Sequence, residues 1–188
     1  MAKTDQQLIQ LTLNGQREAY GCLVKRYIGH IKLMTSHIVQ DPETANDIVQ
    51  TAFISAYKKL YQYDNTRSSF ETWLQRIAYH EALHRLKQQP NHLYIEEHET
   101  LALSIHDEAI DELLNDTNEE RLRLLEGAIK RLRPEEQMLL HLYYMEERSL
   151  RDISYILSIQ PNPIASRLKR IRKKLYIIIK KMEHGRQY

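Results

Sequence analysis

The sequence predicts an all-α fold: two small helical domains joined by an acidic flexible linker, the second containing a helix-turn-helix. Three observations carry this. Apolar residues recur at spacings of three and four along almost the whole chain, which is the helical period. Glycine and proline number five each in 188 residues, too few for closely spaced strands and tight turns. Charge is also laid out in blocks. Residues 1–92 hold eleven Lys/Arg and eight Asp/Glu, residues 93–120 hold no Lys/Arg and ten Asp/Glu, and residues 121–188 hold sixteen and seven. The net charge of +2 hides this order. The expected domains are 1–90 and 119–188, with the linker at 91–118.

The elements follow in order. Leu8, Ile9, Leu11 and Leu13 fit a short first helix, and Gly15 is a natural stop. Tyr20, Leu23, Val24, Tyr27, Ile28, Ile31 and Leu33-Met34 give the rhythm of a longer one. Asp41-Pro42-Glu43 reads as a helix start. Asp41 accepts from free amides, and Pro42 lacks an amide that would be orphaned there anyway. That helix runs to about Leu60, with Ala45, Ile48, Val49, Ala52, Phe53 and Ala56 inward. A polar loop over 61–69 follows. Ser68 or Ser69 then caps a helix carrying Phe70, Trp73, Leu74, Ile77, Ala78, Ala82, Leu83 and Leu86, and Pro90 ends the block. Residues 91–117 show no sustained period beyond a short helix near 108–114. Helices are expected over 119–132, 134–145, 149–157 and 163–182, with Pro134 and Pro163 in first turns.

Composition excludes several classes. The single cysteine, Cys22, allows no intrachain disulfide and no Cys-based zinc cluster. No apolar run approaches the ~18 residues of a membrane span. The N-terminal segment does not read as a signal peptide, so the expected location is cytoplasmic, without membrane insertion. The basic third block suggests a polyanion partner, although a charge run is as often a solvated helix face.

The chemistry concentrates in three places. Ser149 to Leu168 reads as a helix-turn-helix, with Ser149 and Asp152 forming a capping-box-like start and Asn162 capping the second helix. Arg167 to Lys174 then holds six basic residues in eight. Such a helix lies in the major groove, where arginine reads guanine edges and lysine neutralises phosphates. An αα-hairpin in a helical bundle would show the same apolar pattern; the basic run favours DNA. Second, Tyr61, Tyr63, Phe70, Trp73 and Tyr79 surround a polar loop, with Arg67, Arg76 and Arg85 nearby. Aromatic faces stack on unpaired bases, yet Phe70 and Trp73 at i, i+3 also look like a helix core. Third, His80-Glu81-Ala82-Leu83-His84 matches H-E-x-x-H, a zinc-protease spacing. The third ligand is missing: Lys87 stands where the longer motif has glycine and Pro90 where it has histidine. No cofactor, metal or catalytic residue is expected.

Several stretches together resemble a known family. Leu23-Val24-Lys25-Arg26-Tyr27, Asp47-Ile48-Val49-Gln50-Thr51-Ala52-Phe53 and Phe70-Glu71-Thr72-Trp73-Leu74-Gln75-Arg76-Ile77-Ala78 resemble the second conserved region of bacterial sigma-70 family factors, in the extracytoplasmic-function subgroup. Ala128 to Glu136 and the helix-turn-helix ending at Arg172 resemble the fourth region. The resemblance implies a dissociable RNA polymerase subunit that directs promoter recognition and initiation. It implies docking of core RNA polymerase β′ clamp helices through Asp47, Gln50 and Thr51. It implies contact with the −10 element through Asn65, Arg67, Ser68, Trp73, Arg76, Tyr79, His80 and His84. It implies contact with the −35 element through Arg151, Gln160, Asn162, Ser166, Arg167, Lys169, Arg170 and Lys173, with the fourth region resting on the β flap. An anti-sigma factor is the further partner it implies. Two positions depart from the family pattern. His80 replaces the usual asparagine, and Ser158 stands where the turn usually has glycine. A helix-turn-helix regulator acting without polymerase is the alternative reading; a zinc protease is the remote third.

Overall fold

A computed structural model describes residues 3–39, 41–88, 110, 114 and 118–184. Four helices build the first unit: α1 (Asp5–Leu13), α2 (Arg17–Ile38), α3 (Pro42–Lys58) and α4 (Phe70–Lys87). A 3-10 turn, Leu60–Gln62, leads into the loop before α4. Four more build the second: α5 (Glu119–Ile129), α6 (Pro134–Leu140), α7 (Leu150–Leu157) and α8 (Pro163–His184). No strand occurs among the described residues.

Most helix starts are chemical. Thr4 caps α1 with a full capping box, Gln7 returning the bond. Asp41 accepts from the Thr44 amide at 2.7 Å ahead of Pro42. Ser69 caps α4, Asn118 caps α5 and Ser149 caps α7. Each bond satisfies an amide that the helix itself leaves open. Gly15 takes φ +92, and the Gln16 amide reaches back to the Leu11 carbonyl, closing α1.

Periodicity placed most of the core, with exceptions. In α1, Thr12 is buried and Leu13 is exposed, because Thr12 returns its hydroxyl to the Leu8 carbonyl at 2.7 Å. In α2, Ile28 and Leu33 are exposed. The helix expected over 134–145 changes character: α6 ends at Leu140 and a π-helical turn covers His141–Met145. The wider turn tucks His141 and Leu142 inward. Glu147 follows at φ +50. This reversal brings Glu146 and Arg148 together, Arg148 Nε donating to Glu146 Oε2 at 2.8 Å.

A side chain at positive φ is strained, and Glu147 is exposed. Glu147→Gly should therefore stabilise the chain by up to about 1 kcal/mol. A urea midpoint that rises at unchanged slope is the expected readout; a midpoint that falls would show that this turn carries no strain.

In the first unit α3 and α4 pack on each other, α2 packs on both, and α1 lies on α2. In the second, α5 and α6 pack on α8. The two units share one buried core, because α7 packs along α4 and α6 meets α2. The linker expected over 91–118, and the short helix near 108–114, lie outside the described residues except for Ile110, Leu114 and Asn118. Ile110 and Leu114 are helical. Ile110 is 2% exposed and borders a groove with Tyr143, Tyr144, Leu150, Ala165 and Leu168.

Candidate nucleic-acid interface

The first candidate surface is on α3. Asp47 and Gln50 are exposed, and Thr51 is half-buried beside them. Ile48, Val49, Ala52 and Phe53 occupy the opposite, buried side. Ile54 and Tyr57 extend the outward stripe at 55% and 41% exposure. With Asp47 and Gln50 they fall at i, i+3, i+7 and i+10, one helix face. Sequence reading did not single out these two, although that spacing was available. A carboxylate, an amide and two apolar groups in a row suit a protein partner better than a polyanion.

The second surface was expected at the loop and α4. The loop is held rather than slack. Asp64 Oδ1 accepts from the Thr66 amide at 2.9 Å, and Tyr63 Oη donates to the Ser68 carbonyl at 3.1 Å. Asn65 and Arg67 are exposed there, Ser68 half-buried. Trp73 and Tyr79 are not on the surface. Trp73 is 8% exposed and packs with Phe70 and Tyr63, ring centroids 5.8 and 5.4 Å away. Tyr79 is 2% exposed, and burial pushes its hydroxyl pKa up. Neither ring offers a face to a base in this conformation. The reason is that α4 is enclosed on three sides, by α2, α3 and α7.

Two of the remaining α4 candidates, Arg76 and His80, meet the second unit, with His80 still exposed. Arg76 donates to the Tyr155 carbonyl at 2.8 Å, its guanidinium 4.7 Å from the Tyr155 ring centre. His80 Nε2 lies 2.8 Å from Ser158 Oγ. Burial first, then the charges of Arg76 and Lys87, lowers the His80 pKa. His84 is exposed one turn on. Among the described residues, no group of three or more His, Cys, Asp or Glu is placed to hold a metal.

The third surface is the helix-turn-helix. Ile153, Ile156 and Leu157 of α7 and Ile164, Leu168 and Ile171 of α8 are buried. Ser158 closes α7 at φ 56, the left-handed conformation that glycine would take without strain. Ser154 Oγ donates to the Ile159 carbonyl at 2.6 Å and braces the turn. Arg151, Gln160, Asn162, Ser166, Arg167, Lys169 and Arg170 are all exposed, and Lys173 is half-buried. Lys174 belongs elsewhere: its Nζ pairs with Glu136 Oε2 at 3.0 Å, fastening α8 to α6. Lys174 is thus structural.

A helix-turn-helix with an exposed polar and basic second helix joins an α-helical unit bearing an exposed stripe on α3. Residues 23–91 match the family described as Sigma-70 region 2. The first unit thus carries a Sigma-70 region 2 domain. Over most of its length the chain is similar to relatives named as extracytoplasmic-function (ECF) sigma factors. It is 29% identical over 177 residues to the "ECF RNA polymerase sigma-E factor" of Haemophilus influenzae, spanning 90% of this chain and 92% of that protein. It is 38% identical over 82 residues to the "RNA polymerase sigma-H factor" of Pseudomonas aeruginosa, but this match spans only 44% of this chain and 42% of that protein. The fold is similar to that of the Bartonella quintana sigma factor RpoE, solved in complex with the anti-sigma factor NepR. The TM-score is 0.60 at 18% identity, covering 86% of this chain and 96% of that one. No helix among the described residues is long and apolar enough to cross a membrane.

Proposed function

We propose that this chain binds core RNA polymerase and directs promoter recognition and transcription initiation, as an extracytoplasmic-function sigma factor. The observation that carries the reading is the likeness over 90% of this chain to a factor of that name, together with the basic, exposed outer face of α8 in the second unit. Its role is non-catalytic: it supplies contacts to DNA, and polymerase supplies the chemistry. It works in the cytoplasm, with polymerase and promoter DNA, and an anti-sigma factor is its regulatory partner.

Roles are assigned by surface. Asp47, Gln50 and Thr51 dock the β′ clamp helices, with Ile54 and Tyr57 extending the same stripe. Asn65, Arg67 and Ser68 form the loop that meets the −10 element, with Arg76, His80 and His84 along α4. Arg151, Gln160, Asn162, Ser166, Arg167, Lys169, Arg170 and Lys173 face the −35 element. Histidine at 80 contacts DNA without zinc in this reading. The domain roles are promoter melting for 1–90, connection for 91–118 and −35 reading for 119–188.

Reconstituted transcription with core polymerase tests it. The wild-type chain should give specific transcripts that core enzyme alone does not. Asp47→Ala combined with Gln50→Ala should weaken core binding about tenfold, the loss of two modest interface contacts, at unchanged helicity. Equal affinity in a folded double variant would remove α3 as the dock. DNA binding by the chain alone, with no gain from polymerase, would favour the regulator reading.

A further inference from the structure

Ile110 and Leu114 lie between the two units in sequence. Both are helical, and four positions apart they share one helix face. Leu114 packs against the core. Ile110 is 2% exposed, in a groove to which Tyr144, Leu150 of α7 and Leu168 of α8 bring apolar groups. Lys169 and Arg172 line the same groove. With Ala165, which also borders it, they fall at i, i+4 and i+7 of α8, one face of that helix. The groove thus combines apolar groups with two cations. Ile110 stands in sequence of the opposite sign. Asp107, Glu108, Asp111 and Glu112 are within three residues of it, and residues 93–120 hold ten Asp/Glu and no Lys/Arg.

We propose that Ile110 anchors an intramolecular competitor for DNA: it holds the acidic segment against the face of α8 that carries Lys169 and Arg172, where carboxylates take the place of backbone phosphates. Calling the displaced ligand DNA rests on the sigma-factor reading; the seating of Ile110 in the groove does not. Lys169 is among the residues assigned above to the −35 element, so the competition falls on that surface.

The physical case has two parts, place and charge. Burial of the Ile110 side chain supplies the place, since removing apolar surface from water offsets the entropy of ordering its segment. Charge follows from chain connectivity. Adjacent Cα atoms are about 3.8 Å apart, so Asp111 is one peptide unit from a groove that Lys169 and Arg172 line. A tether this short gives its acids an effective concentration on the order of millimolar or above at those cations. Carboxylate and phosphate ask the same of lysine and arginine, charge-assisted hydrogen bonds from the same N–H groups. One cation edge cannot satisfy both ligands fully. Without the anchor the acids would be weak competitors, because exposed ion pairs contribute little and are screened by salt. Ile110 is therefore the residue on which the competition depends.

The test titrates the full chain, without polymerase, against a short fluorescent DNA duplex of mixed sequence. Ile110→Ser changes no charge, so a gain in affinity cannot come from net electrostatics. It should bind the duplex about tenfold more tightly, the gain when a face covered nine-tenths of the time is freed. Ile110→Val keeps the anchor and should bind as the wild type does. Lys169→Gln, added to Ile110→Ser, should remove most of the gain. The Ala165 methyl resonance reports the groove and should move in Ile110→Ser. A second pair of variants does not touch the anchor. Asp111→Asn with Glu112→Gln should tighten binding more than Glu96→Gln with Glu97→Gln, although both change the charge equally. Equal gains would overturn the proposal. So would an Ile110→Ser protein of normal helicity whose Ala165 resonance stays in place. If Ala165 moves and duplex affinity does not, while Lys169→Gln weakens the wild type, α8 meets DNA without competition and the proposal falls alone. If neither Ile110→Ser nor Lys169→Gln alters affinity, α8 does not face DNA, and the −35 reading falls together with it.

Discussion

Phe70→Ala should destabilise the chain by about 3–5 kcal/mol, the range for truncating a buried phenylalanine. Phe70 is 1% exposed and opens α4 immediately after its Ser69 cap. Its ring meets Tyr27 of α2 and Tyr63 of the preceding loop, both at 5.7 Å between centroids, and Trp73 at 5.8 Å. One side chain therefore joins three elements: α2, the loop and α4. The surrounding rings are themselves fixed. Tyr63 is bonded to the Ser68 carbonyl, and Tyr27 donates its hydroxyl to Asp5 of α1. They have little freedom to collapse into the space a methyl group would leave, so the cost belongs at the upper end. In a chain of this size each kcal/mol moves the midpoint about 2–4 °C, so melting should fall by roughly 6–20 °C. Calorimetry or thermal circular dichroism reads this directly. The loop carrying Asn65 and Arg67 should also loosen, since Tyr63 loses a packing partner. A loss below about 1 kcal/mol would show that the aromatic cluster is not the clasp it is taken to be.

Arg167→Ala should cost promoter binding by the holoenzyme about 1–3 kcal/mol at a matched −35 element, the value of a bidentate base contact. Asn162 precedes α8, and the first turns of α8 present Ser166, Arg167, Lys169 and Arg170 outward while Ile164, Leu168 and Ile171 hold the inner side. Arg167 thus holds the position from which the proposed recognition helix would meet the groove. Lys174 is committed to Glu136, so the phosphate contacts must come from the others. If about three or four of them are made, the log-log salt slope is near −3 or −4, at about −0.9 per phosphate. The measurement is a salt series on matched and scrambled −35 elements with both proteins. A loss confined to the matched element assigns base readout to Arg167. A uniform loss, with the slope flatter by about one, assigns a phosphate. Unchanged affinity and slope would mean that α8 does not face DNA, and the −35 assignment of 119–188 would fall with it.

The helices were legible because their signals are local. Asp41-Pro42, Ser69 and Ser149 each start a helix through a bond to an amide within three residues. Gly15 and Ser158 end helices through their own backbone angles. The inward faces of α3, α7 and α8 obey the helical period, since each has one side packed and one side wet. The outward candidates on those helices, Asp47, Gln50, Arg167 and Arg170, are outward in the structure for the same reason.

The sequence alone therefore determined the helical class, the caps, the core stripes of single-sided helices and the family to which the residues belong. Only the tertiary structure decided what α4 does with its other faces. Its period cannot distinguish one packed side from three, and α7 supplies the third. Trp73 and Tyr79 consequently lie inside, and Arg76 and His80 have partners some eighty positions away. The contacts of Glu146 with His30, His141, Gln75 and Arg148 were invisible for the same reason. His30, Glu71, Gln75, Glu146 and Arg148 lie up to 118 positions apart, and isolated ionisable residues carry no local mark of their partners. Hydrogen bonds within a turn are written in adjacent residues; compensation of a charge at a domain junction is written only in how the domains meet.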